Sequence, residues 1–100
     1  MSTDVKIDEK ITVSLQPPKQ WKVIVLNDDH TPMDFVISML CAIFKHSETI
    51  AKELTMEIHN EGSAVVGVYA HEIAEQRGLD ATQLARSNGF PLQITLEPEE

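Results

Sequence analysis

The sequence predicts an α+β fold: a two-layer sandwich in which three helices cover one face of a three-stranded sheet, in the order β-α-α-β-α-β. Two observations carry this. Three short runs, Trp21 to Leu26, Ser63 to Tyr69 and Leu92 to Leu96, alternate or are rich in valine as strands do. The stretches between them place apolar residues three and four apart, the spacing of one-sided helices.

Residues 1 to 20 read as a flexible arm, because only Ile11, Val13 and Leu15 are apolar in an otherwise charged stretch that closes on Pro17-Pro18. The folded domain is expected over 21 to 100. In the first strand Trp21, Val23 and Val25 alternate with Lys22, Ile24 and Leu26, apolar enough on both sides for an interior position.

Thr31 is a good N-cap, Pro32 fits the first helical position, and Asp34 completes a T-x-x-D capping box, so the first helix is expected to start at Pro32. Its stripe is Met33, Val36, Ile37, Leu40, Ile43 and Phe44. Ser47 caps a second helix over Glu48 to about Asn60, with Ile50, Ala51, Leu54 and Ile58 on one face and Gly62 as its stop. The third, Ala70 to Ser87, has a thin stripe of Ala70, Ile73, Ala74, Ala81, Leu84 and Ala85 interrupted by Gly78, and ends at Asn88-Gly89. Leu92, Ile94 and Leu96 alternate with Gln93, Thr95 and Glu97 in a half-buried last strand.

A chain of 100 residues is one domain that buries only about two thirds of its unfolded surface. Its net charge of −8, from 16 acidic against 8 basic residues, would repel a phosphate backbone or an anionic membrane. Neither nucleic acid nor membrane is an expected partner. The single Cys41 excludes a disulfide framework and is expected to be a buried, reduced thiol. Met1-Ser2-Thr3-Asp4 opens no apolar leader, and no run approaches the ~18 apolar residues of a membrane span, so a soluble, cytoplasmic protein is expected.

Chemistry concentrates in Leu26 to Phe35, where Asn27, Asp28 and Asp29 stand between a strand and an amphipathic helix. Asn and Asp are also common turn residues that hydrogen-bond their own backbone. Three acceptors beside the polarizable Met33, however, suit a ligand that is cationic at one end and apolar at the other. Such a cation needs convergent acceptors, and His59, at the end of the second helix, adds a neutral imidazole nitrogen. A His there can equally interact with the helix dipole alone.

These residues resemble the ClpS adaptors, which hand substrates of the bacterial N-degron pathway to a AAA+ unfoldase and its protease. The likeness runs through Lys22-Val23, the N-D-D-x-T-P-M stretch from Asn27 to Met33, Phe35-Val36, His59, Gly67-Val68-Tyr69, Ile73-Ala74-Glu75 and Pro91-Leu92. It implies an antiparallel sheet, an arrangement shared with the C-terminal domain of the ribosomal stalk protein. It also implies that Asn27, Asp28, Asp29 and His59 bind the α-amino group of the substrate's first residue. By the same likeness Thr31, Met33, Val36, Thr55, Ile58 and Leu92 line a pocket for a Leu, Phe, Tyr or Trp side chain. Thr55 departs from the family, which commonly has Met there, so the pocket mouth is expected to be wider. Glu72 and Arg77, the latter where Lys is usual, match positions that touch the N-terminal domain of a ClpA- or ClpC-type unfoldase. The arm matches the extension the unfoldase engages. No catalytic residue, metal or cofactor is implied, and the chain is expected to be a monomer when free.

Two other readings compete. An enzyme would use Asp28, Asp29 and His59 as acid, base or metal ligands, with His30, His46 and His71 in reserve, but no H-E-x-x-H, Cys-x-x-Cys or glycine-rich phosphate loop is present. A stalk-like scaffold binding only another protein explains the fold but not the acceptor cluster.

Overall fold

A computed structural model describes residues 18–99. Its elements are β1 (Gln20–Leu26), α1 (Met33–Phe44), α2 (Glu48–Glu61), β2 (Ser63–Ala70), α3 (His71–Ser87) and β3 (Gln93–Pro98), in the order the sequence predicts. The expected arm, with Ile11, Val13 and Leu15, lies outside the described residues up to residue 17. Gln20 opens β1, and its carbonyl accepts the N–H of Glu99 at 2.8 Å.

The sheet is antiparallel, with β1 between β2 and β3. That central place explains the two apolar sides of β1: Val23 and Val25 are fully buried, while Ile24 and Leu26 are half-buried, with Ile24 facing the exposed Val65 of β2. Val23 pairs with Gly67 but Ile24 pairs with Val65, so Val66 is an extra residue on β2. Such a bulge leaves a carbonyl outside the ladder. Here His46 Nε2–H, from the α1–α2 connection, donates to the Val66 carbonyl at 2.6 Å. At the adjoining Gly67 the Tyr69 ring folds close over the backbone, so a Cβ there would stand 2.5 Å from the far end of the ring and push it aside. Phe44 stacks on that ring at 6.5 Å and the Arg77 guanidinium lies 5.9 Å from its centre.

Helix α3 lies across all three strands, α2 covers β2, and α1 packs mainly on the other two helices. Val36, Met39, Leu40 and Phe44 are the buried face of α1. Met39, absent from the predicted stripe, is fully buried. Lys45 ends the helix in the left-handed region at φ 64°. Cys41 is half-buried rather than buried. In α2, the Ser47 hydroxyl accepts the Ile50 N–H at 3.2 Å, and Gly62 stops the helix at φ 94°, as expected of a residue without a Cβ.

The predicted stripes need correction in two places. Ile50 is 42 % exposed and Ile73 47 % exposed, whereas Thr55 and Gly78 lie on the buried faces. Thr55 tolerates burial because its hydroxyl donates to the Ala51 carbonyl at 2.7 Å. Gly78 does not interrupt the α3 stripe; with Ala74, Ala81 and Ala85 it forms it, and these small residues bring the helix close to the sheet. Closeness has nevertheless left room at Gly78: a Cβ would meet Leu96 Cδ2 at 3.6 Å and Ile94 Cγ2 at 3.8 Å, ordinary contact distances. Gly78→Ala is therefore expected to stabilise the fold by about 0.5–1 kcal/mol through helix propensity, raising the thermal unfolding midpoint. A lowered midpoint would mean that α3 needs the glycine for packing.

Candidate functional site

Three segments meet at one end of the sheet, and the β1 register brings them there. Leu26 pairs with Ser63 on one side and Gln93 on the other, so the next residue, Asn27, comes between Gly62 and Leu92. The Asn27 N–H donates to the Gly62 carbonyl at 2.9 Å. Gly62 in turn donates to Ile58 in the last turn of α2, which also carries His59. The acidic corner is thereby tied to the helix end that bears the histidine. Asn27 and His59 are both exposed.

Within the corner the two aspartates have different environments. Asp28 is half-buried, and its Oδ2 accepts the N–H groups of His30 at 2.9 Å and Thr31 at 3.0 Å; Asp29 is exposed. The turn role open to any Asp is therefore real for Asp28. It also explains why the predicted capping box does not form. With Asp28 holding the Thr31 backbone, α1 is capped by Pro32 in an extended conformation with no side-chain hydrogen bond. The Thr31 hydroxyl turns inward instead. Among the described residues, the buried side-chain oxygens without a hydrogen-bond partner are Thr31 Oγ1 and Asp28 Oδ1. A hydroxyl donates as well as accepts, and the Thr31 side chain lies close enough to the Asp28 carboxyl to act on it, so the two oxygens are neighbours within the acidic corner.

Burial pushes the Asp28 carboxyl up, but the Thr31 side chain, the N–H groups of His30 and Thr31 and the nearby His30 imidazole together pull it down further, below its ordinary 3.8. A carboxylate that ionises more easily in the folded than in the unfolded chain stabilises the fold above its unfolded value, and that contribution disappears as pH falls through the lowered folded value. Asp28→Asn is thus expected to lower the unfolding midpoint at neutral pH, with the gap from the parent closing as pH falls below 3.8. Midpoints of both chains across an acid pH series check this; a gap that stays constant would assign the effect to shape rather than charge.

Four of the expected pocket residues, Val36, Thr55, Ile58 and Leu92, are buried at 1–4 % exposure. Thr31 is half-buried and Met33, at the start of α1, is 37 % exposed. Glu72 and Arg77 are not brought to one face. Glu72 borders an open groove of about 510 Å³ between α3 and β3, floored by Gly78, Leu79, Ile94 and Leu96, while Arg77 lies over Tyr69 on β2. Among the described residues no three His, Cys, Asp or Glu side chains converge as a metal site, and no helix is long and apolar enough to cross a membrane.

Sequence reasoning missed Arg86. Its Nη1 donates to the carbonyls of Phe90 at 2.9 Å and Leu92 at 2.7 Å, fastening the α3–β3 connection, while the Phe90 ring meets Phe35 of α1 edge-on at 5.0 Å. A signal was available: a basic residue in the last turn of a helix commonly serves the carbonyls beyond it.

A family model described as the ATP-dependent Clp protease adaptor protein ClpS matches residues 16–95. The chain belongs to the ClpS family. The ClpS 2 adapter of Agrobacterium fabrum is 45 % identical over 97 residues, covering 97 % of this chain and 94 % of that one. The ClpS adapter of Bdellovibrio bacteriovorus is 43 % identical over 90 residues, covering 90 % and 79 %. The structure of Agrobacterium tumefaciens ClpS2 bound to L-phenylalaninamide superimposes with a TM-score of 0.81 at 47 % identity, covering 83 % of this chain and all of that one. The ClpS fold is thus the three-stranded, three-helix sandwich described above.

Proposed function

We propose that this ClpS-family adaptor recognises proteins whose first residue is Leu, Phe, Tyr or Trp and delivers them to a Clp unfoldase-protease, performing no chemistry itself. The observation that carries this reading is the 47 % identical ClpS2 structure bound to L-phenylalaninamide, set beside an acidic corner of Asp28 and Asp29 that is tied to the end of the helix bearing His59. An α-ammonium brings three donors to the acceptors of that corner. The ligand of the Agrobacterium tumefaciens relative, L-phenylalaninamide, has the matching chemistry: a free amine, an apolar side chain and no carboxylate.

In this reading Asn27, Asp28, Asp29 and His59 accept from the amine. Val36, Thr55, Ile58 and Leu92 receive the side chain, with Thr31 and Met33 at its mouth. The partner is the N-terminal domain of a ClpA- or ClpC-type unfoldase in a bacterial cytoplasm. Glu72 and Arg77 contact it from opposite flanks of α3, Arg77 being steadied by its stacking over Tyr69.

Thr55 bears on selectivity. Its hydroxyl is engaged with the Ala51 carbonyl, so the methyl group remains as its contribution to the pocket wall. A Met at this place is longer and would narrow the pocket. Titrating peptides that differ only in a first Phe, Leu, Ile or Ser against the parent and Thr55→Met tests both points. The parent is expected to bind Phe and Leu, reject Ser, and tolerate Ile more than the Met variant does, by about 1–3 kcal/mol. Equal binding of all four peptides would refute N-terminal recognition; equal rejection of Ile by both chains would remove Thr55 from the pocket.

A further inference from the structure

We infer that Arg86 is a positioning residue for the first-residue side chain: by holding the Phe90 and Leu92 carbonyls it fixes the pocket wall that Leu92 supplies. The inference rests on the proposed pocket. Leu92 lies just outside β3, beyond the last ladder pair, Leu26 with Gln93, so the sheet does not hold its backbone. Pro91, beside it, has no N–H to offer. The Phe90 ring on Phe35 and the buried Leu92 side chain anchor the segment from inside, and few backbone hydrogen bonds hold it. The Phe90 N–H reaches back to the Ala85 carbonyl at 2.9 Å, and the two carbonyls that follow, Phe90 and Leu92, both accept from Nη1 of Arg86. One guanidinium nitrogen therefore clasps the carbonyls of residues 90 and 92 together.

The path of residues 90 to 92 matters at the side-chain end of the proposed site. It presses the Leu92 side chain to 1 % exposure and sets the Phe90 ring against Phe35, one residue before Val36 of the same pocket. The β1–β3 register, not the clasp, brings Leu92 beside Asn27. Arg86 itself is exposed and is not among the residues proposed for either half of the site. Its removal should loosen the wall that senses the side chain while leaving the acceptors that sense the amine, since those are held by Gly62 and by the Asp28 turn.

The experiment measures, on the full chain, affinities for peptides beginning with Phe, Ala and acetyl-Phe, for the parent and Arg86→Met, at a temperature where circular dichroism shows both folded. In Arg86→Met the preference for Phe over Ala is expected to fall at least about fivefold, a discrimination of the size one loosened apolar wall controls, while the preference for free over acetylated Phe is kept. A merely structural arginine would lower the unfolding midpoint without changing the Phe-to-Ala ratio of the folded protein. Should Arg86→Met not fold, Arg86→Gln is read the same way, since it keeps a polar, helix-compatible stem that falls short of both carbonyls. If the parent itself fails to prefer Phe, the proposed function falls and this inference with it. If the parent prefers Phe and the variant keeps the full ratio, only the role of Arg86 is overturned.

Discussion

Acetylating the first residue of a Phe-initiated peptide is expected to weaken its binding by about 2–5 kcal/mol, the range for removing one partner of a buried, hydrogen-bonded charge. The size follows from what stays behind. Acetylation removes the positive charge and two of three donors and adds bulk, so the acceptors of the acidic corner lose their cation under the new ligand. The Asp28 carboxylate is ionised at neutral pH, and the N–H groups that shape the turn lower its pKa, so it keeps demanding a cation. Isothermal titration of free and acetylated peptides of one sequence measures the difference. Equal affinity would mean that the corner is only a turn, and that binding by this chain is driven by the side chain alone.

Much of this site was legible before the structure, because its parts are local. An Asn-Asp-Asp run between a strand and a helix, Ser47 ahead of an acidic first turn and Gly62 after an apolar stripe each announce themselves within a few residues. What stayed hidden is what depends on competition or on distant chain. Thr31 reads as the α1 cap by every local rule, yet Asp28 takes the Thr31 N–H first, and the hydroxyl is released to the interior. Periodicity counts apolar side chains, so it put Ile50 and Ile73 inside and passed over Thr55, whose hydroxyl satisfies itself one turn back. It took Gly78 for a gap where the sheet wants a small residue. The Val66 bulge with its His46 partner, and the Arg86 clasp on residues 90 to 92, exist only once distant elements have packed.

Leu92→Ala is expected to destabilise the fold by about 2–5 kcal/mol, as large-to-small changes in a packed core do. Leu92 is among the largest fully buried side chains, with Met39, Leu40, Val23, Val25 and Val66, although its backbone belongs to no strand. Its surroundings have little freedom to collapse into the space left, since Arg86 fixes the carbonyls on one side and Phe90 is wedged against Phe35 on the other. A rigid surround retains the cavity and pushes the loss toward the upper end of that range. For a domain of this size each kcal/mol lowers the unfolding midpoint by roughly 4–8 °C, so the effect is large in a thermal melt. The comparison variant is Leu79→Ala, the same chemical change at a residue 52 % exposed in the α3–β3 groove, where a shift within about 0.5 kcal/mol is expected. Because the cavity would open on the proposed side-chain pocket, the variant should also favour a bulkier first residue, Trp over Leu, relative to the parent. If Leu92→Ala melts no lower than Leu79→Ala, residues 90 to 92 close over the gap, and the Arg86 clasp is not the rigid support that its two short hydrogen bonds imply.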